Sequence, residues 1–419
     1  MKIMDAPIIV GIDVGTTKTC TLVARMENEQ QVRILGVGIE PSKGMRKGSV
    51  VDMDAAGKAI ARSIEKAERT SGLEIESALV SMSCTDVSSE NSQGVVGISG
   101  RTIDNEDVVR AVEAARAVTI PHNRELIHVI QRGFVVDGQG GIRNPVGMHG
   151  YRLEVETHVI TASAAVVENL RQAVAAAGVG ASQFVLNPLA SAEVVLSDSE
   201  REMGVVVCDI GGGTTDMAIY IDGDVWHTMV LGVGGNHITS DIAHGLHLPV
   251  NHAEEIKLQH GFALESQVNE EEAFYIHPFG EENPVTINRR ELAHIIEARV
   301  EEIFSLVVQE IKRSGYDSLL PAGMVLTGGV SALPGIRQLA KKVLGMPVQV
   351  AQPKDLIGMV DQLHSPAYAT SVGLLRWAVL MSEFVNTFEA HRPRRPLPVQ
   401  IGSDMDWKKM KDWLRRLLP

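Results

Sequence analysis

The sequence predicts an α/β protein of two related lobes with a cleft between them. An internal echo carries most of that prediction. Ile8-Ile9-Val10-Gly11-Ile12-Asp13-Val14-Gly15-Thr16-Thr17 opens the chain. Val205-Val206-Val207-Cys208-Asp209-Ile210-Gly211-Gly212-Gly213-Thr214-Thr215-Asp216 repeats the pattern, with Asp13 recurring as Asp209 196 positions later. Each copy is a β-branched run, then Asp-x-Gly, then threonines. Each leads into a second strand-like run, Thr19–Val23 or Met217–Ile221. Each half therefore starts with a β-hairpin whose turn is rich in glycine and threonine. Helices supply the other half of the fold class. Leu292, Ile295, Ile296, Val300, Ile303, Phe304, Val307, Val308 and Ile311 form one apolar stripe along 291–314, and Gly315 follows. A second helix spans Ala164–Ala177 and stops at Gly178. Strands and helices mixed through both halves define the α/β class.

Composition bounds the function. A chain of 419 residues holds several domains at about 100–200 residues each. Hydrophobic residues make up 44% but aromatics only 4%, so the core is aliphatic. A formal charge of −13 argues against a chain-wide nucleic-acid binder. Cys20, Cys84 and Cys208 are few and far apart, with no Cys-x-x-Cys. That pattern suits a reducing compartment and small buried side chains. No run of about 18 apolar residues exists. The patch Ile8-Ile9-Val10 ends at Asp13, too short for a signal peptide. The protein is expected to be cytosolic.

Two stretches stand apart from the echo. Residues 84–162 hold a helical segment, Glu106–Ala117, and strand-like runs Ile127–Val136 and Leu153–Ile160 around the Gly-rich Gly138–Gly150. They read as an inserted subdomain. Arg392-Pro393-Arg394-Arg395-Pro396-Leu397-Pro398 reads as an extended linker before a last segment, Asp406–Pro419.

The chemistry sits in the two turns. Backbone amides of a Gly/Thr turn approach phosphate oxygens closely, because glycine has no Cβ to obstruct them. Threonine hydroxyls add donors. An aspartate at the strand end repels phosphate but holds a hydrated Mg²⁺, which prefers oxygen ligands. Two such turns facing each other would clamp a triphosphate, with Asp13 and Asp209 flanking the metal and Lys18 neutralising charge. A single turn of this kind is only a hairpin. Two copies, each after a buried-looking strand, point to phosphate. There is no Gly-x-x-x-x-Gly-Lys-Ser/Thr, and no Gly-x-Gly-x-x-Gly follows the first strand, so a P-loop and a Rossmann site are not supported.

This constellation resembles the actin/Hsp70/hexokinase ATPase superfamily. Asp13, Gly15, Thr16, Thr17 and Lys18 resemble its first phosphate motif. Asp209, Gly211, Gly212, Gly213, Thr214 and Thr215 resemble the second. Gly328-Gly329 within Met324–Ser331 resembles the adenosine motif, and Tyr368–Gly373 the second connecting helix. Gly234-Gly235-Asn236 resembles the loop near the γ-phosphate, and Glu254-x-x-Lys257 the pair that contacts ribose and adenine. The resemblance implies an actin-like fold of duplicated RNase H-like domains that binds ATP and Mg²⁺. In chaperone- and actin-like members a Glu or Gln before the first connecting helix orients the attacking water. Asn187 occupies that place here, with Glu193 as the fallback. Asn is no base at neutral pH, so tight ATP binding and slow hydrolysis are expected.

Further motifs resemble the bacterial division family FtsA. They are Pro41-Ser42-Lys43-Gly44-Met45-Arg46-Lys47-Gly48-Ser49-Val50-Val51-Asp52 and Gly141–Gly147, together with an insert at the position of that family's subdomain 1C. On this resemblance, 1–83, 163–197 and 365–388 form lobe 1A, and 84–162 form 1C. Residues 198–241 and 307–364 form 2A, and 242–306 form 2B. A linker spans 389–405 and a membrane-targeting helix 406–419. The resemblance also implies self-assembly into filaments and docking of an FtsZ C-terminal peptide on 2B, with Arg289 and Arg299 as candidate contacts. Other division proteins would bind through 1C. Both arginines equally suit ordinary helix-surface ion pairs.

The tail has its own physics. Trp407, Met410, Trp413, Leu414, Leu417 and Leu418 recur at helical spacing, and Lys408, Lys409, Lys411, Arg415 and Arg416 supply the polar face. Such a helix lies flat on anionic lipid at the cytoplasmic face of the membrane. His237, His244, His247, His252 and His260 cluster in sequence. A shared helix face for His244 and His247 would be one route to a metal site; surface or core histidines are the commoner outcome. Rival readings are a PilM-like scaffold of type IV pilus assembly, a small-molecule kinase and a chaperone ATPase. The first does not need the tail, the second needs a carboxylate base, and the third lacks a substrate-binding domain.

Overall fold

The computed structural model describes residues 7–27, 31–117 and 120–390. The first lobe begins with β1 (Ile8–Val14), β2 (Lys18–Met26) and β3 (Val32–Pro41), three antiparallel strands rich in β-branched residues. A small hairpin, β4 (Met45–Arg46) and β5 (Ser49–Val50), leads to α1 (Met53–Ser71). Asp52 caps α1 by accepting from the Ala55 amide, and Gly72 ends it at φ 71°. β6 (Ser77–Met82) then pairs parallel with β1.

The insert leaves the lobe at this point. β7 (Ser88–Thr102), α2 (Asn105–Arg116), β8 (Arg124–Val136), β9 (Gln139–Ile142) and β10 (His149–Ser163) form a four-stranded antiparallel sheet, order β7-β10-β8-β9, with one helix. α2 covers one face through Val108, Ala111 and Ala115 against Phe134, Leu153 and Val155. The Gly-rich stretch of the sequence holds β9. The chain re-enters the lobe through α3 (Ala164–Ala176) and β11 (Gly180–Leu186), which pairs parallel with β6.

α4 (Asn187–Val195) and α5 (Asp198–Met203) lead to the second lobe. β12 (Val205–Ile210), β13 (Thr215–Ile221) and β14 (Asp224–Leu231) are again antiparallel. α6 (Gly235–Gly245), α7 (Val250–His260), the pair β15 (Ala273–Ile276) and β16 (Val285–Asn288), and α8 (Arg289–Ser314) follow. The apolar stripe expected on α8 is its core face: Leu292, Ile296, Val300, Ile303, Phe304, Val307 and Ile311 are buried. β17 (Gly323–Thr327), α9 (Ile336–Leu344) and β18 (Val348–Val350) complete the second sheet. β19 (Ile357–Gly358) returns to the edge of the first, and α10 (Ala369–Ala390) closes the described chain.

The two lobes share one topology. The first sheet runs β11-β6-β1-β2-β3, with β19 added, and the second β18-β17-β12-β13-β14. In both, three antiparallel strands are followed by two parallel strands, the first paired with β1 or β12 and the second with the first. The insert also docks on the second lobe. Ser89 Oγ donates to the Thr228 carbonyl at 3.0 Å, and the Arg132 guanidinium lies 3.6 Å from the Trp226 ring centre. This covers the β14 edge, which otherwise presents unpaired backbone groups.

Two side possibilities left open by the sequence, one for histidines and one for a carboxylate, are not met. α6 ends at Gly245, and His247 lies beyond it with φ 52°, so His244 and His247 share no helix face. Among the described residues no group of three metal-ligating side chains converges. Glu193 pairs with Arg201 at 3.1 Å, so it is no fallback for water activation. The membrane-targeting helix expected at 406–419 lies outside the described residues, as does the linker beyond Ala390. Among the described residues, no helix is long and apolar enough to cross a membrane.

α10 crosses α4 at its tightest point. A Cβ at Gly373 would fall 1.9 Å from the Ala190 carbonyl oxygen. Gly373→Ala should therefore destabilise the protein by at least about 2 kcal/mol, measured by chemical unfolding. Gly97→Ala, where a Cβ meets nothing within 4 Å, should change stability little.

Candidate functional site

The two Asp-x-Gly turns close in the same way. Gly15 N–H donates to the Lys18 carbonyl at 3.0 Å, and Gly211 N–H to the Thr214 carbonyl at 2.9 Å. The turns meet across the gap between the lobes. A Cβ at Gly212 would fall 2.0 Å from Thr17 Oγ1, and one at Gly213 2.6 Å from Thr16 Oγ1. Only glycine permits that approach. The cleft they bound has a volume of about 460 Å³.

Two carboxylates end the central strands. Asp13 is buried and accepts from Ser81 Oγ at 2.9 Å and from Ser371 Oγ at 2.6 Å. Its Oδ2 lies 3.9 Å from Lys18 Nζ, which also donates to the Ala367 carbonyl. Asp209 accepts from Thr370 Oγ1 at 2.8 Å. Successive residues of α10 thus hold the two equivalent aspartates. A third carboxylate, Asp216, accepts from Ser83 Oγ at 2.6 Å and Thr214 Oγ1 at 2.8 Å. Burial pushes Asp209 up to about 6, helped by the charge of Asp13. Burial also pushes Asp216 up to about 8, helped by Asp209.

The other end of the cleft is more apolar. Leu258, Val330, Leu333 and Pro334 line it beside Gly328 and Gly329. Lys257 and Glu254 pair at 2.6 Å one helical turn apart. Lys257 also donates to Thr239 Oγ1 at 2.8 Å. The Gly235 and Asn236 amides donate to the Gly211 and Gly212 carbonyls at 2.9 and 2.7 Å, bracing the second turn.

Most of the residues singled out from sequence come together here. Asp13, Gly15, Thr16, Thr17, Lys18, Asp209, Gly211, Gly212, Gly213, Thr214, Gly235, Asn236, Glu254, Lys257, Gly328, Gly329 and Asn187 all line the cleft. Thr215 instead points away, donating to the Val233 carbonyl at 2.9 Å. Gly234 is the N-cap of α6 and does not line the cleft. Asn187 starts α4, and its Oδ1 is buried with no partner. Arg289 and Arg299 lie outside the cleft. Arg289 pairs with Glu272, and Arg299 grips Asp241 with two nitrogens and also pairs with Glu302. Sequence reasoning missed Ser81, Ser83 and Asp216, and passed over Thr370 and Ser371 within the quoted 368–373 stretch. Asp216 was the one with a visible signal, as a second aspartate closing the second motif.

The donor set fits a hard cation bound with phosphate. Asp13 and Asp209 supply anionic oxygens from facing turns, and burial raises the cost of leaving Asp209 charged alone. Mg²⁺ retains waters and completes its shell with phosphate oxygens, so two carboxylates suffice.

Comparisons with known proteins agree with this architecture. A family model described as "Cell division protein FtsA" matches residues 206–373, and one described as "SHS2 domain inserted in FTSA" matches residues 85–161. The cell division protein FtsA of Borreliella burgdorferi is 40% identical over 416 residues, covering 98% of this chain and 100% of the relative. That of Pseudomonas aeruginosa is 37% identical over 403 residues, covering 94% and 97%. That of Escherichia coli strain K12 is 36% identical over 424 residues, covering 99% of each. Among solved structures, a PilM–PilN type IV pilus biogenesis complex matches with a TM-score of 0.63 at 18% identity, covering 88% of this chain and 98% of that one. MreB5 of Spiroplasma citri bound to ADP matches with a TM-score of 0.55 at 14% identity, covering 91% and 99%. At such identities the structural likeness shows the fold alone, which is the actin-like one.

The buried carboxylate has a pH signature. The folded state holds the Asp216 proton up to about pH 8, whereas the unfolded chain releases it near 4. Between those values the folded state binds more protons, so its stability falls as pH rises. Asp216→Asn should stabilise the nucleotide-free protein at pH 8 by about 2 kcal/mol or more and change it little near pH 4. Thermal unfolding across that range reads the difference.

Proposed function

This chain belongs to the FtsA family of cell division proteins, and from that premise we propose that it is an ATP-binding, filament-forming tether. In this reading it anchors the FtsZ ring to the cytoplasmic face of the cell membrane at the division site and recruits later division proteins through its insert. The observation that carries the nucleotide part is the pair of Asp-x-Gly turns meeting across one cleft, their aspartates held by adjacent residues of α10.

The cleft's residues divide the work. The amides and hydroxyls of Thr16, Thr17, Gly211–Gly213 and Thr214 bind phosphate oxygens, and Lys18 offsets their charge. Asp13 and Asp209 would hold Mg²⁺, and the metal would supply charge neutralisation at the phosphates. Leu258, Leu333 and Pro334 exclude water from the base, while Lys257 and Glu254 offer polar contacts beside it.

Slow turnover follows from the same residues. Asn187 offers an oxygen with no basic character at neutral pH. Burial favours the protonated form of Asp216 in the nucleotide-free cleft, and the hydroxyls of Ser83 and Thr214 already occupy its two oxygens. A kinase needs a free carboxylate base, and among the described residues this cleft offers none suited to the role. Binding rather than catalysis is therefore the proposed output, and ATP would favour assembly.

Membrane attachment rests on the basic amphipathic segment 406–419, and avidity would come from many tails on one filament. An acidic FtsZ peptide reaching Arg289 or Arg299 would exchange with Glu272 or Asp241, their present partners. A PilM-like scaffold is the weaker reading, since it leaves the tail without a role.

Calorimetry and liposome flotation test the proposal together. Mg-ATP should bind the intact chain, and Lys18→Ala should weaken binding at least about tenfold, the loss of one charge contact. Intact protein should float with anionic liposomes, more so with Mg-ATP, and a 1–395 truncation should not. Absence of flotation in both forms would leave the tail a structural element and remove the tether.

A further inference from the structure

The motif Gly44-Met45-Arg46-Lys47-Gly48 has no part in the cleft chemistry described so far. β4 and β5 pair Met45 with Val50 and Arg46 with Ser49, leaving Lys47-Gly48 as a two-residue turn. Their φ angles are 49° and 77°. Both positions are left-handed, as a type I′ turn requires. Glycine suits this backbone and asparagine tolerates it; lysine is strained there.

The turn meets the cleft through Gly48, which lines it. A Cβ at Gly48 would fall 1.8 Å from the Ser83 carbonyl oxygen, so the turn lies flat against the end of β6. Ser83 Oγ in turn holds Thr214 and Asp216. Contacts link Lys257 to Gly235, the facing turns to each other, and Thr214 through Ser83 to Gly48. A nucleotide with its base beside Lys257 and its phosphates between the turns points its terminal phosphate at Gly48.

Lys47 reaches from this turn toward the other lobe. A Cβ built at Gly232, in the loop after β14, would lie 3.5 Å from Lys47 Cδ and 3.9 Å from its Nζ. Gly232 leads into Gly234-Gly235, the loop that braces the second phosphate turn. Among the described residues the ammonium makes no hydrogen bond or ion pair. A solvated cation on a strained turn, crossing from one lobe to the loop of the other, is arranged to meet an anion.

We propose that Lys47 engages the terminal phosphate of the bound nucleotide and so distinguishes a triphosphate from a diphosphate. The inference rests on the nucleotide reading of the cleft. With a third phosphate present the ammonium joins the first lobe to the second; with a diphosphate it stays in water.

Calorimetric titrations of the full chain test this, with Mg²⁺ and either ADP or a non-hydrolysable ATP analogue. Lys47→Asn keeps a residue that tolerates the turn but removes the charge. It should weaken the triphosphate at least about tenfold and the diphosphate less than about twofold, while Lys47→Arg keeps the preference. Lys47→Gly, which also suits the backbone, should repeat the Asn result and guards against a folding artefact. Equal losses for both nucleotides, or no loss, would overturn the role of Lys47 alone. A wild-type chain that binds neither nucleotide would overturn this role and the reading of the cleft together.

Discussion

Two hydroxyls, one residue apart on α10, hold the two halves of the cleft in register. Ser371 donates to Asp13 of the first lobe and Thr370 to Asp209 of the second. Each aspartate ends the central strand of its sheet, so the helix reads the position of both sheets at once. The first turn of a helix also favours negative charge, which suits two carboxylates placed there. α10 is itself locked to α4 at Gly373, and α4 begins at Asn187 in the cleft. A change in the separation of the lobes must therefore act on α10. The far end of that helix, Ala390, leads into the residues that carry the basic tail.

The cleft is built against the stability of the nucleotide-free chain. Asp209 and Asp216 are buried with only hydroxyl partners, and burial drives both toward the protonated form. Lys18 Nζ lies 3.9 Å from Asp13 Oδ2, at the outer limit of an ion pair. A bound metal would offset the carboxylates, and a phosphate chain would pair with Lys18. Such sites gain from ligand what they lack in isolation, which ties closure of the lobes to occupancy.

Local signals were legible in the sequence, and long-range partners were not. The β-branched runs, the Asp-x-Gly turns, the stripe of α8 and its glycine stop all rest on neighbours within a few residues. The equivalence of the lobes was readable because Asp13 and Asp209 repeat one pattern. The hydroxyls that hold these aspartates were not, since Ser371 lies 358 positions from Asp13 and serine carries no periodic signal. His244 and His247 share no helix face because α6 stops at Gly245. Glu193 was drawn into an ion pair with Arg201, a partner set by the turn into α5. Lys47 was visible as a motif residue, but its reach to Gly232 depends on how two lobes fold together.

The insert adds a second tie between the lobes. It grows from the first and docks on β14 of the second through Ser89, Asn91 and His158. The cleft is thus bridged twice, by α10 at its floor and by the insert at the β14 edge. The central claim is that both lobes form one Mg-ATP site between these ties. A structure of the intact chain with Mg²⁺ and a non-hydrolysable ATP analogue tests it most directly. The account predicts phosphates between Thr16–Lys18 and Gly211–Thr214, with the metal flanked by Asp13 and Asp209. Nucleotide bound elsewhere, or held by one lobe alone, would contradict it.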